Sequence, residues 1–118
     1  ACEQRSERRM LIDLEKLPVD IVPHMRDGEK EVHLKKWSDG PVKVLQGKLP
    51  AGASIGLHTH ETNCEVIYIL SGTGKVLCDG AYEPLAPGAC HYCPKGHAHS
   101  LINDSDGDLT FFAVVPEQ

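Results

Sequence analysis

Two histidines stand one residue apart in GASIGLHTHETNCEVIYILSG, residues 52–72, and a glutamate follows five positions after the second. Because strand side chains alternate between faces, His58 and His60 point the same way, about 6–7 Å apart along the chain. Two imidazoles at that spacing can tilt toward one ion about 2.1 Å from each nitrogen. Glu65 would then lie close to His60 across a hairpin whose loop is residues 61–64. The three side chains therefore form a candidate metal site.

The same residues also have an ordinary structural interpretation, in which a histidine pair on a strand faces solvent or makes hydrogen bonds. Glu61 is an alternative carboxylate, but it directly follows His60 and falls on the opposite face or in the turn. Gly56 lies two residues before His58 on the same face, where the lack of a side chain would leave room beside an ion. A tight bend is the alternative reason for a glycine at that position.

Taken with GACHYCPKGHAHSLIN, residues 88–103, the segment resembles the cupin superfamily. The first cupin motif is G-x5-H-x-H-x4-E-x6-G, and the second is G-x5-P-x-G-x2-H-x3-N. Both are matched with their spacing intact, the first at Gly52, His58, His60, Glu65 and Gly72, the second at Gly88, Pro94, Gly96, His99 and Asn103. The two motifs occur in the right order and, with the stretch between them, span a little under half of the chain.

The resemblance implies an all-β fold, a single small cupin jelly-roll β-barrel (double-stranded β-helix), with one metal ion bound inside. Carried over position by position, the implied ligands are His58, His60, Glu65 and His99, and the sequence departs from the pattern at none of them. The turn at residues 94–96 would deliver His99 to the ion. Asn103 would be a structural residue rather than a ligand.

Three neutral imidazoles and one carboxylate leave one or two open positions on a five- or six-coordinate ion, where water, substrate or dioxygen can bind. The set suits one divalent transition metal ion (Fe, Mn, Ni, Co or Zn) and does not choose among them. We therefore expect a metal-dependent enzyme that acts on a small polar molecule, such as an acid, a sugar or an aromatic diol. Oxygenase, decarboxylase, isomerase and lyase reactions all occur on cupin barrels, so the reaction and the catalytic residues are not assigned. The alternative is a non-catalytic module that binds or senses a small ligand with the help of the metal.

Further histidines and cysteines lie close to the second motif. Cys90 and Cys93 form a C-x2-C pair, but positions i and i+3 of a strand face opposite sides, so we expect no shared ion there. His91 and Cys93 share one face of their strand. If that face lines the pocket, each of the two is a candidate for an acid–base role or for a role in supporting the ligands. His97 is expected to be exposed in a loop at the barrel mouth.

Short apolar runs punctuated by Gly, Pro, Asp and Asn predict strands along most of the chain. The expected strands are 31–37, 42–49, 54–60, 65–72, 74–80, 81–88, 89–94, 98–103 and 109–115. Residues 10–17 suit a helical turn or an edge strand, which Pro18 ends in either case. We expect residues 1–41 to be an N-terminal extension with one or two short strands that packs on the barrel or on a partner. Residues 42–118 would be the cupin barrel.

Composition excludes several classes of partner. The 118 residues, 41% hydrophobic and 25% charged, suit one soluble globular domain. The net charge of −5 and the absence of a basic stripe argue against nucleic-acid binding. No apolar run reaches the roughly 20 residues of a membrane span, so we expect no membrane partner and a cytoplasmic location. The five cysteines lack framework spacing, which predicts reduced thiols at Cys2, Cys64, Cys78, Cys90 and Cys93.

A homodimer is expected for a separate reason. Residues 65–72 are apolar on both faces of their predicted strand, and only one face can line the interior of a barrel. The strand at 31–37 also lacks an evident neighbour. A second copy of the chain would cover both.

Overall fold

A computed structural model describes residues 10–118, and Cys2 lies outside the described residues. Short 3-10 turns occur at Leu14–Lys16 and Met25–Asp27. The strands of this part of the chain are β1 (Asp20–Pro23), β2 (Glu31–Ser38), β3 (Val42–Leu49), β4 (Ser54–Thr59), β5 (Glu65–Ser71), β6 (Gly74–Cys78), β7 (Ala81–Leu85), β8 (Cys90–Cys93), β9 (Ala98–Ile102) and β10 (Leu109–Pro116).

The strands form two antiparallel sheets. One sheet has four strands in the order β4-β9-β6-β7, and the other has six in the order β1-β2-β3-β10-β5-β8. Strands that are neighbours in a sheet are mostly distant in sequence, as in a jelly roll. The all-β jelly-roll fold expected from the sequence is therefore confirmed.

The core lies between the two sheets and follows the two-residue period of the strands. In β10, Leu109, Phe111, Ala113 and Val115 are buried, whereas the residues between them are partly exposed. The inward residues of β5 follow the same rule and begin with Glu65. Because alternate side chains of β5 are buried, its first residue, Glu65, points into the barrel.

The N-terminal part of the described chain continues the six-stranded sheet. Strand β2 pairs with β3 from His33 opposite Lys48 to Ser38 opposite Lys43. Outside it lies β1, which the sequence did not predict because Pro23 indicated a turn there. Between residues 10 and 17 the chain adopts the helical turn rather than the edge strand. The division at residue 41 into an extension and a barrel stays a prediction.

The hairpin predicted between His60 and Glu65 is wrong. Strand β4 belongs to the four-stranded sheet and pairs with β9, whereas β5 belongs to the six-stranded sheet and pairs with β10 and β8. Residues 60–64 therefore cross from one sheet to the other instead of closing a two-stranded ladder. His60 and Glu65 still meet, but across the corner between the sheets.

Asn103 has the structural role expected of it. It is 1% exposed, and its Nδ2 lies within 3.0 Å of the carbonyl oxygens of Leu49, Pro50 and Gly107. Its Oδ1 accepts the backbone N–H of Ser105 at 2.9 Å. The side chain thus ties the loop after β9 to the end of β3.

Gly56 does not leave room beside the candidate site. A Cβ at this position would lie 1.8 Å from the carbonyl oxygen of Arg26, and one at Gly28 would lie 2.1 Å from that of Ser54. Both glycines are needed because the 3-10 turn at Met25–Asp27 packs backbone to backbone on β4. The expectation of free space at Gly56 is therefore wrong, and the turn occupies that space.

Among the described residues, no helix is long and apolar enough to cross a membrane. The four cysteines of this part of the chain, Cys64, Cys78, Cys90 and Cys93, form no disulfide.

We predict that Gly56→Ala lowers the free energy of unfolding by about 1–3 kcal/mol, the usual cost of overpacking, because the added Cβ must displace the Arg26 carbonyl. Urea denaturation measures this change. Gly107→Ala is the matched control, since a Cβ there meets nothing within 4 Å. Equal denaturation midpoints for the two variants would contradict this description of the turn.

Candidate metal centre

The four residues implied by the motifs come together inside the barrel. One ligand atom from each of His58, His60, Glu65 and His99 lies within 4.8 Å of the others. The antiparallel pairing of β9 with β4 places His99 opposite His58. The turn before β9 is held to His60, whose backbone N–H donates to the His97 carbonyl at 3.0 Å.

Three donor atoms of this cluster form a nearly equilateral triangle. The Nε2 atoms of His60 and His99 are 3.0 Å apart, and each is 3.0 Å from Glu65 Oε1. Two ligand atoms at right angles and about 2.1 Å from one ion are about 3.0 Å apart, whereas tetrahedral ligands at that distance are about 3.4 Å apart. The triangle therefore fits one face of an octahedral ion better than a tetrahedral one.

The other ring nitrogens of the histidines each have a hydrogen-bond partner outside the cluster. His58 Nδ1 donates to the Gly56 carbonyl at 2.8 Å, and His60 Nδ1 donates to Asn63 Oδ1 at 2.5 Å. His99 Nδ1 lies 2.9 Å from Nε2 of His91. When the rings are neutral with their protons on Nδ1, the Nε2 lone pairs face the cluster, which is the tautomer that a metal requires.

Asn63 is itself fixed by Glu117 near the C-terminus. Its Nδ2 donates to Glu117 Oε2 at 2.7 Å, and Thr62 Oγ1 donates to Oε1 of the same carboxylate at 2.8 Å. Because the amide nitrogen is committed to Glu117, the amide oxygen is the atom that faces His60. Glu117 had no signal in the sequence, since it lies far along the chain and outside both motifs.

The pKa values show that a proton competes for the same place as an ion. Hydrogen bonding to Glu65 raises the pKa of His60 despite its burial. Burial alone would raise the pKa of Glu65, but the hydrogen bonds from His60 and His99 outweigh it and lower that pKa to about 2. Burial lowers the pKa of His58 despite its hydrogen bond to the Gly56 carbonyl, and the nearby His99 and Arg26 lower this pKa further. A proton on His60 would compete with an ion for the same lone pair, so we expect metal affinity to fall as the pH falls.

Three residues of the cluster, His58, His60 and Glu65, line a cavity of about 380 Å³, and His99 lines a smaller space next to it. This smaller space of about 40 Å³ is apolar, and the residues that line it include Leu34, Ile67 and Phe111. The mouth of the larger cavity is polar and carries the cations of Arg26, Lys36 and Lys43 together with Glu61. The site therefore joins an apolar interior to a cationic entrance.

Arg26 is the residue at this entrance that sequence reasoning missed. It lies in the 3-10 turn at Met25–Asp27 with φ of 56°, and His24, Asp27 and Lys30 also have positive φ. Such angles are uncommon for residues other than glycine and mark a backbone held by its surroundings. Pro23, Asp27 and Gly28 indicated turns in this part of the sequence, but nothing tied Arg26 to the site.

The other residues singled out in the sequence differ in whether they face the barrel interior or solvent. Glu61 is exposed, in contrast to the buried Glu65. Cys90 is exposed and Cys93 buried, so the two thiols face opposite sides of β8, as their spacing predicted. His97 is exposed, as expected, and pairs with Asp79 at 2.5 Å. His91 faces inward and contacts His99.

Comparison with known proteins gives a consistent result. The family model described as "Cupin domain" matches residues 46–115. A protein of Thermotoga maritima named oxalate-binding protein is 31% identical over 112 residues, which cover 90% of this chain and 93% of that protein.

Solved structures agree with the fold. A crystal structure from Thermotoga maritima, described as a "predicted oxalate decarboxylase", is 30% identical, with a TM-score of 0.86 over 92% of this chain and 100% of the other. A protein of Silicibacter pomeroyi described as a sugar phosphate isomerase from a cupin superfamily is 23% identical. Its TM-score is 0.75 over 92% of this chain and 76% of the other, and this likeness concerns the fold alone.

We predict that Asn63→Ala weakens metal binding about 10–100-fold, the usual effect of losing an outer hydrogen-bond partner, because His60 Nδ1 loses its acceptor. Competition for Mn(II) with a chelator measures the affinity. Thr62→Ala is the matched control, since it loses the contact with Glu117 and leaves the bond to His60 intact. Equal affinity of the two variants would show that this bond does not orient the imidazole.

Proposed function

This chain belongs to the cupin domain family, and from that premise we propose that it binds one divalent transition metal ion through His58, His60, Glu65 and His99. We further propose that the ion and the cations at the cavity mouth together hold a small carboxylate anion. The observation that carries the proposal is the 3.0 Å triangle of donor atoms beside a cation-lined cavity.

The choice of metal follows from the donor set and its spacing. Imidazole and carboxylate ligands suit Mn, Fe, Co, Ni and Zn, and none of the four donors is a thiolate. The right-angled spacing of the triangle favours the ions that accept six ligands, so we propose Mn(II) or Fe(II) ahead of Zn(II). When bound, such an ion supplies open coordination positions and a positive charge to oxygen ligands.

The choice of ligand follows from the charges around the cavity. Arg26, Lys36 and Lys43 line it, and a guanidinium pairs with a carboxylate through two parallel hydrogen bonds. The relative from Thermotoga maritima carries the name oxalate-binding protein, which supports a small dicarboxylate such as oxalate. In this proposal Arg26 holds the outer carboxylate, and the apolar residues behind the cluster exclude water from the inner end.

An enzyme that converts the bound anion is the second candidate function. Glu61 lines the same cavity as His58, His60 and Glu65 and is not part of the cluster, so it is available to exchange a proton with a bound molecule. Loss of carbon dioxide from hydrogen oxalate leaves formate, with the proton returned to carbon. Formate release by the metal-loaded protein would favour the enzyme, whereas tight binding without formate would favour the binding module.

We also propose a homodimer, supported by the outer face of the six-stranded sheet. Trp37, Val44, Val114, Val66 and Tyr92 lie side by side across five strands of this face. Val66, Tyr92 and Val114 alternate with buried residues along their strands, so this part of the row points outward. Val44, in the same row, is itself only 9% exposed. In a two-fold dimer the same row on a second copy would cover it.

The first prediction of this proposal concerns the anion. Calorimetric titration of the Mn(II)-loaded protein should show oxalate binding, and no binding of oxamide, its uncharged analogue. Arg26→Gln should weaken oxalate binding about 10-fold or more, the expected effect of losing a charged hydrogen bond. Lys75→Gln is the control, because Lys75 lies outside the cavity beside Tyr82. Equal oxalate affinity of metal-free and loaded protein would refute the proposed role of the metal.

The second prediction concerns the dimer. Light scattering after size exclusion should give twice the monomer mass at micromolar concentration, and Tyr68→Lys should give the monomer. Tyr68 is 44% exposed and follows Val66 on the proposed interface, so the added charge opposes association more than folding. Tyr82→Lys changes a similarly exposed tyrosine on the other sheet and should leave the dimer intact. A monomeric wild-type chain would contradict the proposal.

The cytoplasmic location expected from the sequence stays a prediction.

A further inference from the structure

A second group of metal-ligating side chains lies next to the first. Cys78 ends β6, and His91 and Cys93 point inward from β8 in the other sheet. One ligand atom from each lies within 4.8 Å of the other two. His91 and Cys93 are buried, with exposures of 7% and 0%, while Cys78 is partly exposed. The group therefore bridges the two sheets and is open to solvent on one side.

We propose that Cys78, His91 and Cys93 form a second metal site, which binds one thiophilic ion such as Cu(I) or Zn(II). This site is separate from the one proposed for the carboxylate, with which it shares none of its three residues. Its ligands come from strands that are not neighbours in either sheet, so an ion there would also link β6 to β8.

The donor types distinguish this site from the first. Two thiolates and one imidazole form a soft set that selects Cu(I) or Zn(II), whereas imidazoles with a carboxylate suit harder ions. Cu(I) is satisfied by three such ligands, and Zn(II) would add a water through the partly exposed side at Cys78. Of the other described cysteines, neither Cys64 nor Cys90 belongs to a ligand group.

The pKa values of the two thiols argue against nucleophilic chemistry. Burial raises the pKa of Cys93 to about 12, and burial together with the charge of Asp79 raises that of Cys78. Reactive cysteines instead have a lowered pKa and lie beside a positive charge. The two inward-facing thiols lie beside an imidazole, and an ion bound there would displace the thiol protons.

His91 joins the two sites. Its Nε2 lies 2.9 Å from Nδ1 of His99, and the two rings are stacked with centroids 5.1 Å apart. Movement of His91 toward an ion held by the thiols would change the partner of His99. The two sites are therefore separate in their ligands and adjacent through one hydrogen bond.

The test is a titration with Co(II) under reducing conditions, in a His60→Ala background that disables the first cluster. Cobalt bound to a thiolate gives an intense ligand-to-metal charge-transfer absorption, which imidazole and carboxylate ligands do not give. We expect this absorption to appear and to saturate at one ion per chain. Cys78→Ser should abolish it, and the partial exposure of Cys78 makes this replacement compatible with folding.

Cys90→Ser is the matched control and should leave the absorption unchanged. Cys93→Ala provides a second variant, and circular dichroism of each variant verifies that the barrel is folded. Absence of the charge-transfer absorption in the folded His60→Ala protein would overturn the proposal, as would its survival in folded Cys78→Ser. Neither result bears on the carboxylate site, which is tested separately by Mn(II) and oxalate binding to the chain with His60 in place.

Discussion

The convergence of three imidazole Nε2 atoms and one carboxylate inside the barrel is the constraint on which the rest of the site depends. His60, His99 and Glu65 bring three donor atoms to within 3.0 Å of one another in a buried position. Lone pairs this close repel each other unless a positive charge lies between them, and that charge is a metal ion or a proton. Most other polar contacts around the cluster serve to present these lone pairs inward.

The outer contacts come from widely separated parts of the chain. Asn63 holds the proton of His60 and is fixed in turn by Glu117, while the Gly56 carbonyl holds that of His58. The same Gly56 lies against the carbonyl of Arg26, so the turn that carries the entrance guanidinium rests on the strand that carries His58. One backbone contact thereby positions both the strand that carries His58 and the turn that carries Arg26.

The sequence predicted the fold and the membership of the cluster, because both depend on fixed spacing. The glycines of the motifs and the alternation of strand side chains determine which residues face inward at His58, His60 and Glu65. The pairing of strands was not predictable in the same way, and a hairpin was expected where the chain crosses between sheets. The residues between two strands are of similar types whether the chain makes a hairpin or crosses to the other sheet. Only the long-range pairing of β4 with β9 and of β5 with β10 distinguishes the crossing from a hairpin.

The entrance and the outer contacts were not predictable from the sequence for a different reason. Arg26 adopts a positive φ without being glycine, and Glu117 acts through Asn63 from a distant position, so neither leaves a local pattern. The two faces of β8 were equivalent in the sequence, and only the fold shows that His91 and Cys93 point inward. Sequence spacing thus predicts the inner ligands, whereas tertiary packing determines what surrounds them.

The measurement that tests the central claim most directly is X-ray absorption spectroscopy of the Mn(II)-loaded protein. The account predicts a first shell of nitrogen and oxygen atoms about 2.1–2.2 Å from the metal, with outer-shell scattering from three imidazoles. His99→Ala should reduce the imidazole scattering by one ring. A first shell without imidazole scattering, or a spectrum of fully hydrated Mn(II), would contradict it.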